Sequence, residues 1–315
     1  MSRIHIAANR RAALAAVAAV AVLALLAAAC SSSSAGSSKS SSATIPSTQI
    51  PTQSKDAASA ALVPADIGSS GKLVYAMDPS YPPNEFLAPG TSTIIGMDAD
   101  LGAAIAQTLG LTSVQQSVSF DAIIPGIQAK KYDVGLSSFT DTKEREKVVD
   151  FVNYFNAGEA FYVKAGSPKT FTSVDSLCGH KVAVEAGTVQ ETESKEASAT
   201  CTQSGKGAIT VLSFPDQNGA NLAVASGRAA VGYADSPVVG YIVETSNGAF
   251  EQSGSDFNSV SYGIIVAKGS ALAPAIQSAL KVLIANGTYD AIMKKWGTEA
   301  GAVTAAGVTI NGATS

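Results

Sequence analysis

From Gly71 onward the sequence predicts an α/β fold, and three observations carry that expectation. Short β-like apolar runs alternate with amphipathic helical stretches. A strand–helix–strand–helix–strand pattern occupies about residues 72–138, the arrangement that builds a parallel sheet with right-handed crossovers. A second set of the same kind begins near His180.

The elements follow in order. Lys72-Leu-Val-Tyr-Ala-Met77 reads as a strand. Asp98 is placed to cap a helix whose residues Leu101, Ala104, Ile105, Thr108 and Leu109 share one face, with Gly110 just past its end. A second helix carries Ile123, Ile124 and Ile127 around Pro125, read as a kink or a late first-turn residue. Asp133–Ser137 is the next strand. In the second set Lys181–Glu185 is a strand and Gly187-Thr188 opens a helix. Ile209–Ser213 is a strand, and a helix over Asn218–Ser226 is stopped by Gly227. Ala229–Ala234 gives another strand, followed by Asp235-Ser-Pro237 and a helix. After a strand over Val260–Val266, two helices at about 271–286 and 289–296 present Ile276, Leu280, Leu283 and Ile284, then Ile292 and Trp296.

The first thirty residues are of another kind. Arg3, Arg10 and Arg11 precede an unbroken run of Ala, Val and Leu over 12–29 that ends at Cys30, the pattern of a secretory signal peptide. The run just reaches the length of a membrane span, but it is Ala-rich and ends in small residues. Leu26-Ala-Ala-Ala-Cys30 is similar to a bacterial lipobox, with Ala27 where Leu is commonest; cleavage at Ala27-x-Ala29 is the alternative. Both readings place the protein outside the cytoplasm, and lipidation of Cys30 would anchor it to the cell membrane. Nine serines fall within 31–44, and the stretch to about Ser70 holds few large apolar residues. Residues 30–70 therefore read as a flexible tether, unable to bury enough surface to offset ordering entropy.

Composition excludes several functions. The 315 residues carry net charge −4, becoming −7 once 1–29 are removed, and no Lys/Arg cluster suited to nucleic acid occurs. Of two histidines His5 lies in the leader, leaving His180, too little for His-rich zinc sites or a Ser-His-Asp triad. With Cys30 assigned to the lipobox, Cys178 and Cys201 read as a disulfide in an oxidising compartment. Two Cys beside His180 do not complete a metal tetrahedron, so neither metal nor cofactor is expected.

Three loops carry candidate chemistry. Asp78-Pro-Ser-Tyr81-Pro-Pro-Asn-Glu-Phe86 follows the first strand, where an open α/β sheet meets its ligands; a Pro-rich turn started by Asp is the plainer reading. Leu136-Ser-Ser-Phe-Thr-Asp-Thr-Lys-Glu-Arg145 follows another strand. There Asp141 and Glu144 read as a helix start, and Arg145 falls in the first turn against the macrodipole. A planar guanidinium beside the hydroxyls and N–H groups of 138–140 suits a carboxylate; pairing with Glu144 or Asp141 at the surface is the alternative. In Gly232-Tyr-Ala-Asp235-Ser-Pro237, Asp235 is a good N-cap before Pro. It also ends a strand, where it could receive an ammonium.

Together with Gly96-Met-Asp-Ala-Asp-Leu101, Phe120-Asp-Ala-Ile-Ile-Pro125, Val148-Val-Asp-Phe151 and Gly187-Thr188-Val-Gln190, these loops resemble the bacterial extracellular solute-binding proteins of family 3. Those are the polar amino-acid receptors of ABC importers. The resemblance spans Gly71 to Trp296. It implies a two-lobed periplasmic-binding-protein-like fold of type II with two crossing strands as hinge. Lobe 1 would be 71–157 plus 262–300, lobe 2 158–261, and 301–315 a C-terminal tail. The implied ligand site places Arg145 with the N–H groups of Thr140 and Val189, beside Thr188, on an α-carboxylate. Asp235 with Ser138 nearby would take the α-ammonium, and Asp78, Tyr81 and Phe120 the side chain, with Asn84 making the rim polar. That set favours glutamine, arginine or a similar N–H-bearing side chain. The implied partners are ABC permease subunits and the protein a monomer without enzymatic activity. A dehydratase on the same fold, or the ligand-binding partner of a sensor, is the alternative.

Overall fold

The computed structural model describes residues 45–314. The expected leader, Cys30 and the first part of the tether lie outside the described residues. Among the described residues no helix is long and apolar enough to cross a membrane.

The chain enters along an extended segment and two short helices, α1 (Ala57–Ala60) and α2 (Ala65–Ser70). This corrects the expected tether over 45–70. The Asp56 carboxylate caps α1 by accepting from the Ser59 N–H at 2.7 Å, and its own N–H donates to Thr108 O at 2.8 Å. Ile50, Val63 and Ile67 pack against the folded body. Average composition hid these few well-placed apolar residues.

Strand β1 (Lys72–Met77) is followed by three short strands, β2 (Ser80–Tyr81), β3 (Glu85–Leu87) and β4 (Ile94–Ile95), paired antiparallel in a small sheet. The Pro-rich loop after β1 is thus a hairpin, with a cis peptide between Pro82 and Pro83. Helix α3 (Met97–Thr108) leads to β5 (Thr112–Ser117), and α4 (Phe120–Gln128) to β6 (Val134–Gly135), both strands parallel to β1. Gly96, not Asp98, is the N-cap of α3. Gly96 has φ 131°, and a Cβ there would sit 2.1 Å from the Asn84 carbonyl oxygen, so only glycine fits. Asp98 lies fully buried in the first turn of α3 and serves the site instead. Gly110 follows the helix in the left-handed region, as expected, and Pro125 is held within α4.

After α5 (Lys143–Glu146) the 16-residue strand β7 (Val149–Lys164) leaves this half of the molecule. The second half contains β8 (Lys181–Glu185), α6 (Val189–Gln203), β9 (Thr210–Phe214), α7 (Gln217–Ala225), β10 (Val231–Asp235) and α8 (Ser236–Thr245). The 18-residue β11 (Phe250–Ala267) returns antiparallel to β7. Helices α9 (Leu272–Ala285) and α10 (Thr288–Trp296) close the chain on the first half, where Ile276, Leu280, Leu283, Ile292 and Trp296 share a core with Leu73 and Leu101. A separate core of Phe161, Val182, Val184, Val231 and Tyr233 fills part of the second half.

Among the described residues eight strands form one sheet in the order β5-β1-β6-β11-β7-β10-β8-β9. The long pair β7 and β11 runs through its middle, and register shifts interrupt their pairing between Ser253 and Gly263. Such irregularities bend and twist a ladder where two packed bodies meet. Cys178 and Cys201 form a disulfide, their Cα atoms 5.6 Å apart, tying the approach to β8 to the last turns of α6. The segment after α10 also docks. Val308 is buried, Ile310 bridges to Val152, and Asn311 donates to Asp150 at 2.9 Å.

Candidate ligand-binding cleft

In both halves the parallel strands end on the same side, and their C-terminal loops face one another. Asp78 follows β1, Ser137–Thr140 follow β6, Glu185 ends β8, and Asp235 ends β10. The starts of α4 and α6 add Phe120, Val189 and Gln190. A small cavity lies between them, and all nine residues predicted from sequence line it: Asp78, Tyr81, Phe120, Ser138, Thr140, Arg145, Thr188, Val189 and Asp235. Glu85, Ser137, Glu185 and Gln190 line it as well.

Arg145 spans the cleft. Nη1 donates to Thr140 O of the first half and Nη2 to Gly187 O of the second, each at 2.9 Å. Its guanidinium carbon lies 5.6 Å from the Phe120 ring centroid and 5.4 Å from that of Phe139, and those rings stack at 4.3 Å. The side chain pairs with neither Glu144 nor Asp141. The helix start also differs from expectation: Thr142 is the N-cap of α5, its hydroxyl accepting from the Arg145 N–H, while Asp141 turns inward to Asn153 and Gly312. Burial lowers the Arg145 pKa to about 10, opposed by the charges of Asp235 and Asp141, so it remains a cation at neutral pH.

Asp235 sits opposite. It is the N-cap of α8 by backbone position, yet its side chain makes no capping bond. Its Oδ2 accepts from Tyr81 OH at 3.0 Å and its Oδ1 from Gln190 Nε2 at 2.7 Å. The Asp235 N–H donates back to the Tyr81 oxygen at 3.0 Å. Tyr81 belongs to the first half and Asp235 to the second, so this exchange, like the Arg145 bonds, holds the two halves together. Burial raises Asp235 to about 6, with hydrogen bonds from Tyr81 and Gln190 and the Arg145 charge pulling it back.

Ser138 has φ 52°, a conformation unusual for a residue with a Cβ. Asp98 holds it there: Asp98 Oδ2 accepts the Ser138 N–H at 2.9 Å while Oδ1 accepts from Tyr154 OH at 2.7 Å. The Ser138 hydroxyl accepts from Asn84 Nδ2 and donates to Glu85. Asn84 is fully buried behind Ser138, which corrects its expected place on the rim. The Thr188 hydroxyl is committed to the α6 start, donating to Glu185 O and accepting from the Glu191 N–H. Val189 then opens the helix, whose N-terminal N–H groups and dipole face the cavity.

Glu85, Ser137, Glu185 and Gln190 were not singled out from sequence. Glu185 had the same signal as Asp78 and Asp235, an acid at the end of a strand. Gln190 stands in the Gly187–Gln190 stretch already noted, and its amide bridges Asp235 to Glu159 Oε1 at 3.0 Å. Only the folded chain aims them inward.

Two α/β halves on a shared pair of long strands, with facing loops that present a guanidinium and a carboxylate to one cavity, define a two-lobed periplasmic-binding-protein-like receptor. The particular family follows from sequence: residues 73–299 match the bacterial extracellular solute-binding proteins, family 3, and the chain belongs to that family. It is 36% identical over 242 residues to the arginine-binding protein ArgT of Corynebacterium glutamicum, covering 76% of this chain and 79% of that protein. Among solved structures it is similar to an ancestral arginine-binding protein bound to glutamine, with TM-score 0.66, 34% identity and coverage of 73% of this chain and 99% of that one. It is also similar to the ancestral amino acid-binding protein AncCDT-1, a precursor of cyclohexadienyl dehydratase, with TM-score 0.65, 31% identity and coverage of 73% and 97%.

Proposed function

We propose that this protein is the extracytoplasmic capture component of an ABC importer, closing on a polar amino acid and delivering it to membrane permease subunits. The observation that carries this reading is the presentation of Arg145 and Asp235, opposite in charge, to the same cavity from opposite lobes. A zwitterion suits that pair. Its α-carboxylate would meet the Arg145 fork and the N–H groups of Thr140 and Val189, and its α-ammonium would meet Asp235. Asp78, Tyr81 and Phe120 would then face the side chain, which favours arginine or glutamine, and the names of the relatives support the same pair. In this reading Cys30 carries a lipid anchor, and 71–157 plus 262–300 form one lobe with 158–261 the other.

A thermal-shift screen against the common amino acids tests the reading, because a ligand bound only by the native state raises its melting temperature. Stabilisation by arginine or glutamine, lost in Asp235→Ala, is the expected result; no shift with any amino acid refutes it. Replacing Cys30 by Ser should move the protein from the membrane to the soluble fraction. The likeness to a dehydratase precursor motivates a second assay: conversion of a cyclohexadienyl acid to an aromatic product, seen by ultraviolet absorbance, would make the protein an enzyme. No such turnover is expected from a site that presents Arg145 and Asp235 as a clamp for a zwitterion.

A further inference from the structure

Four carboxylates line the cleft, those of Asp78, Glu85, Glu185 and Asp235, against the single cation Arg145. Their hydrogen bonds divide them. Glu85 accepts from Ser137 and Ser138, and Asp235 from Tyr81 and Gln190. Arg145 has Asp235 and Asp141 as its charged neighbours. Asp78 is held by the Phe120 N–H at 2.9 Å. Glu185 is different: it is only 3% exposed, and its Oε1 is buried without a hydrogen-bond partner. Leaving such an atom unpaired is costly, and more so for a charged group.

Asp78 follows the first strand of one lobe and Glu185 ends a strand of the other, and both side chains line the same cavity from opposite sides of the cleft. Among the described residues neither forms an ion pair with a lysine or arginine. The charged and titratable groups facing Glu185 are Asp78, Asp216 at the start of α7 and Asp235 on β10, with Tyr81 of β2 and Tyr162 of β7 beside them.

We propose that Glu185 is a specificity-determining residue of this receptor: with Asp78 it forms a cross-lobe carboxylate pair that shares one proton and exchanges it for the cationic side chain of a basic amino acid. The inference rests on the amino-acid-binding reading above and deepens it. Two buried carboxylates that face one cavity disfavour each other's ionisation. Burial raises both, Glu185 most strongly, while Asp78 keeps the donors that stabilise its charge, so the proton resides on Glu185 and is donated to Asp78. A guanidinium or ammonium entering between them supplies the missing charge and the missing donor for Oε1, and the displaced proton leaves to solvent. A neutral amide brings donors without charge and leaves the proton in place. Lobe closure thereby responds to ligand charge, because closure is what brings the two carboxylates together.

Titration calorimetry with arginine and with glutamine, in two buffers of different ionisation enthalpy at about pH 7, counts the protons released. The wild type is expected to release up to one proton per arginine and none per glutamine. Its arginine affinity should fall by as much as about tenfold per pH unit on acidification while the pair holds the proton. Glu185→Gln should abolish the release and weaken arginine by roughly 10- to 100-fold, a larger loss than it causes for glutamine. Asp78→Asn tests the other half of the pair and should abolish the release too. Arginine binding without proton release, or with unchanged affinity in Glu185→Gln, overturns the inference, as does a receptor that binds glutamine and rejects arginine. A wild type that binds no amino acid refutes the underlying function instead. Should Glu185→Gln fail to fold, the wild-type proton count decides alone.

Discussion

Arg145 offers the sharpest test of the cleft. Its guanidinium already donates two 2.9 Å hydrogen bonds, one to each lobe, and rests over Phe120 and Phe139. A planar cation has five N–H donors, so a ligand carboxylate can be received on the remaining ones. Hydrogen bonds to a charged group contribute about 1.5–3 kcal/mol each. A bidentate pair is therefore worth about 3–6 kcal/mol, or roughly 10²- to 10⁴-fold in affinity. Arg145→Ala should weaken amino-acid binding by that factor in titration calorimetry, while the ligand-free melting temperature shifts by only a few degrees, since burial already disfavours this cation. Arg145→Lys keeps the charge but loses the fork, and an intermediate loss of roughly 10- to 100-fold is expected. Binding by Arg145→Ala within about threefold of wild type would refute the clamp. A cooperative melt in that variant excludes unfolding as the cause.

The acid dependence of stability follows from the buried carboxylates. Burial raises Asp98, Asp141 and Asp235 to about 6 and Glu159 to about 8, so between those values and the unfolded ones the native state binds more protons. The ligand-free protein should therefore melt several degrees higher at about pH 5 than at about pH 8. Glu146, Asp150 and Glu191, whose values are lowered, stay ionised in both states across that range, and His180 opposes the trend only below its ordinary value. A melting temperature that falls steadily on acidification through that range contradicts the assignment. The disulfide closes a loop of sequence separation 23, for which the chain-entropy model gives about 3 kcal/mol. Changing both cysteines to Ser, or adding reductant, should lower the melting temperature by roughly 5–10 °C without abolishing binding. Removing residues 45–70 should also destabilise the protein, through loss of the Ile50, Val63 and Ile67 contacts; an unchanged denaturant midpoint would show that the segment only rests on the surface.

Much of the site was legible because strand ends and helix starts are local features. An acid after β1, an arginine after β6 and an acid ending β10 were each visible as a residue type in a loop that an open α/β sheet turns towards its ligand. Partners were less legible. Asp98 looked like a helix cap, and it instead fixes the left-handed Ser138 some 40 positions later. Asp141 looked like another cap and binds Asn153 and Gly312. In both cases a short polar side chain satisfies a local rule equally well, and only long-range packing decides which N–H it meets. The tether was misjudged for a related reason, since Asp56 and three apolar residues outweigh the surrounding serines once a surface exists to receive them.

By itself the sequence determined the α/β class, the order of the elements, the pairing of Cys178 with Cys201 and the residue types of the cleft. All of these depend on period, spacing and local capping. Tertiary structure decided what lies opposite what: that Arg145 grips a carbonyl in each lobe, that Tyr81 meets Asp235, and that Asp78 confronts Glu185. Those contacts join residues from separate lobes, and only the two long strands β7 and β11 bring the facing loops together. Charge repulsion, burial and hydrogen bonding then act between groups that no local pattern relates.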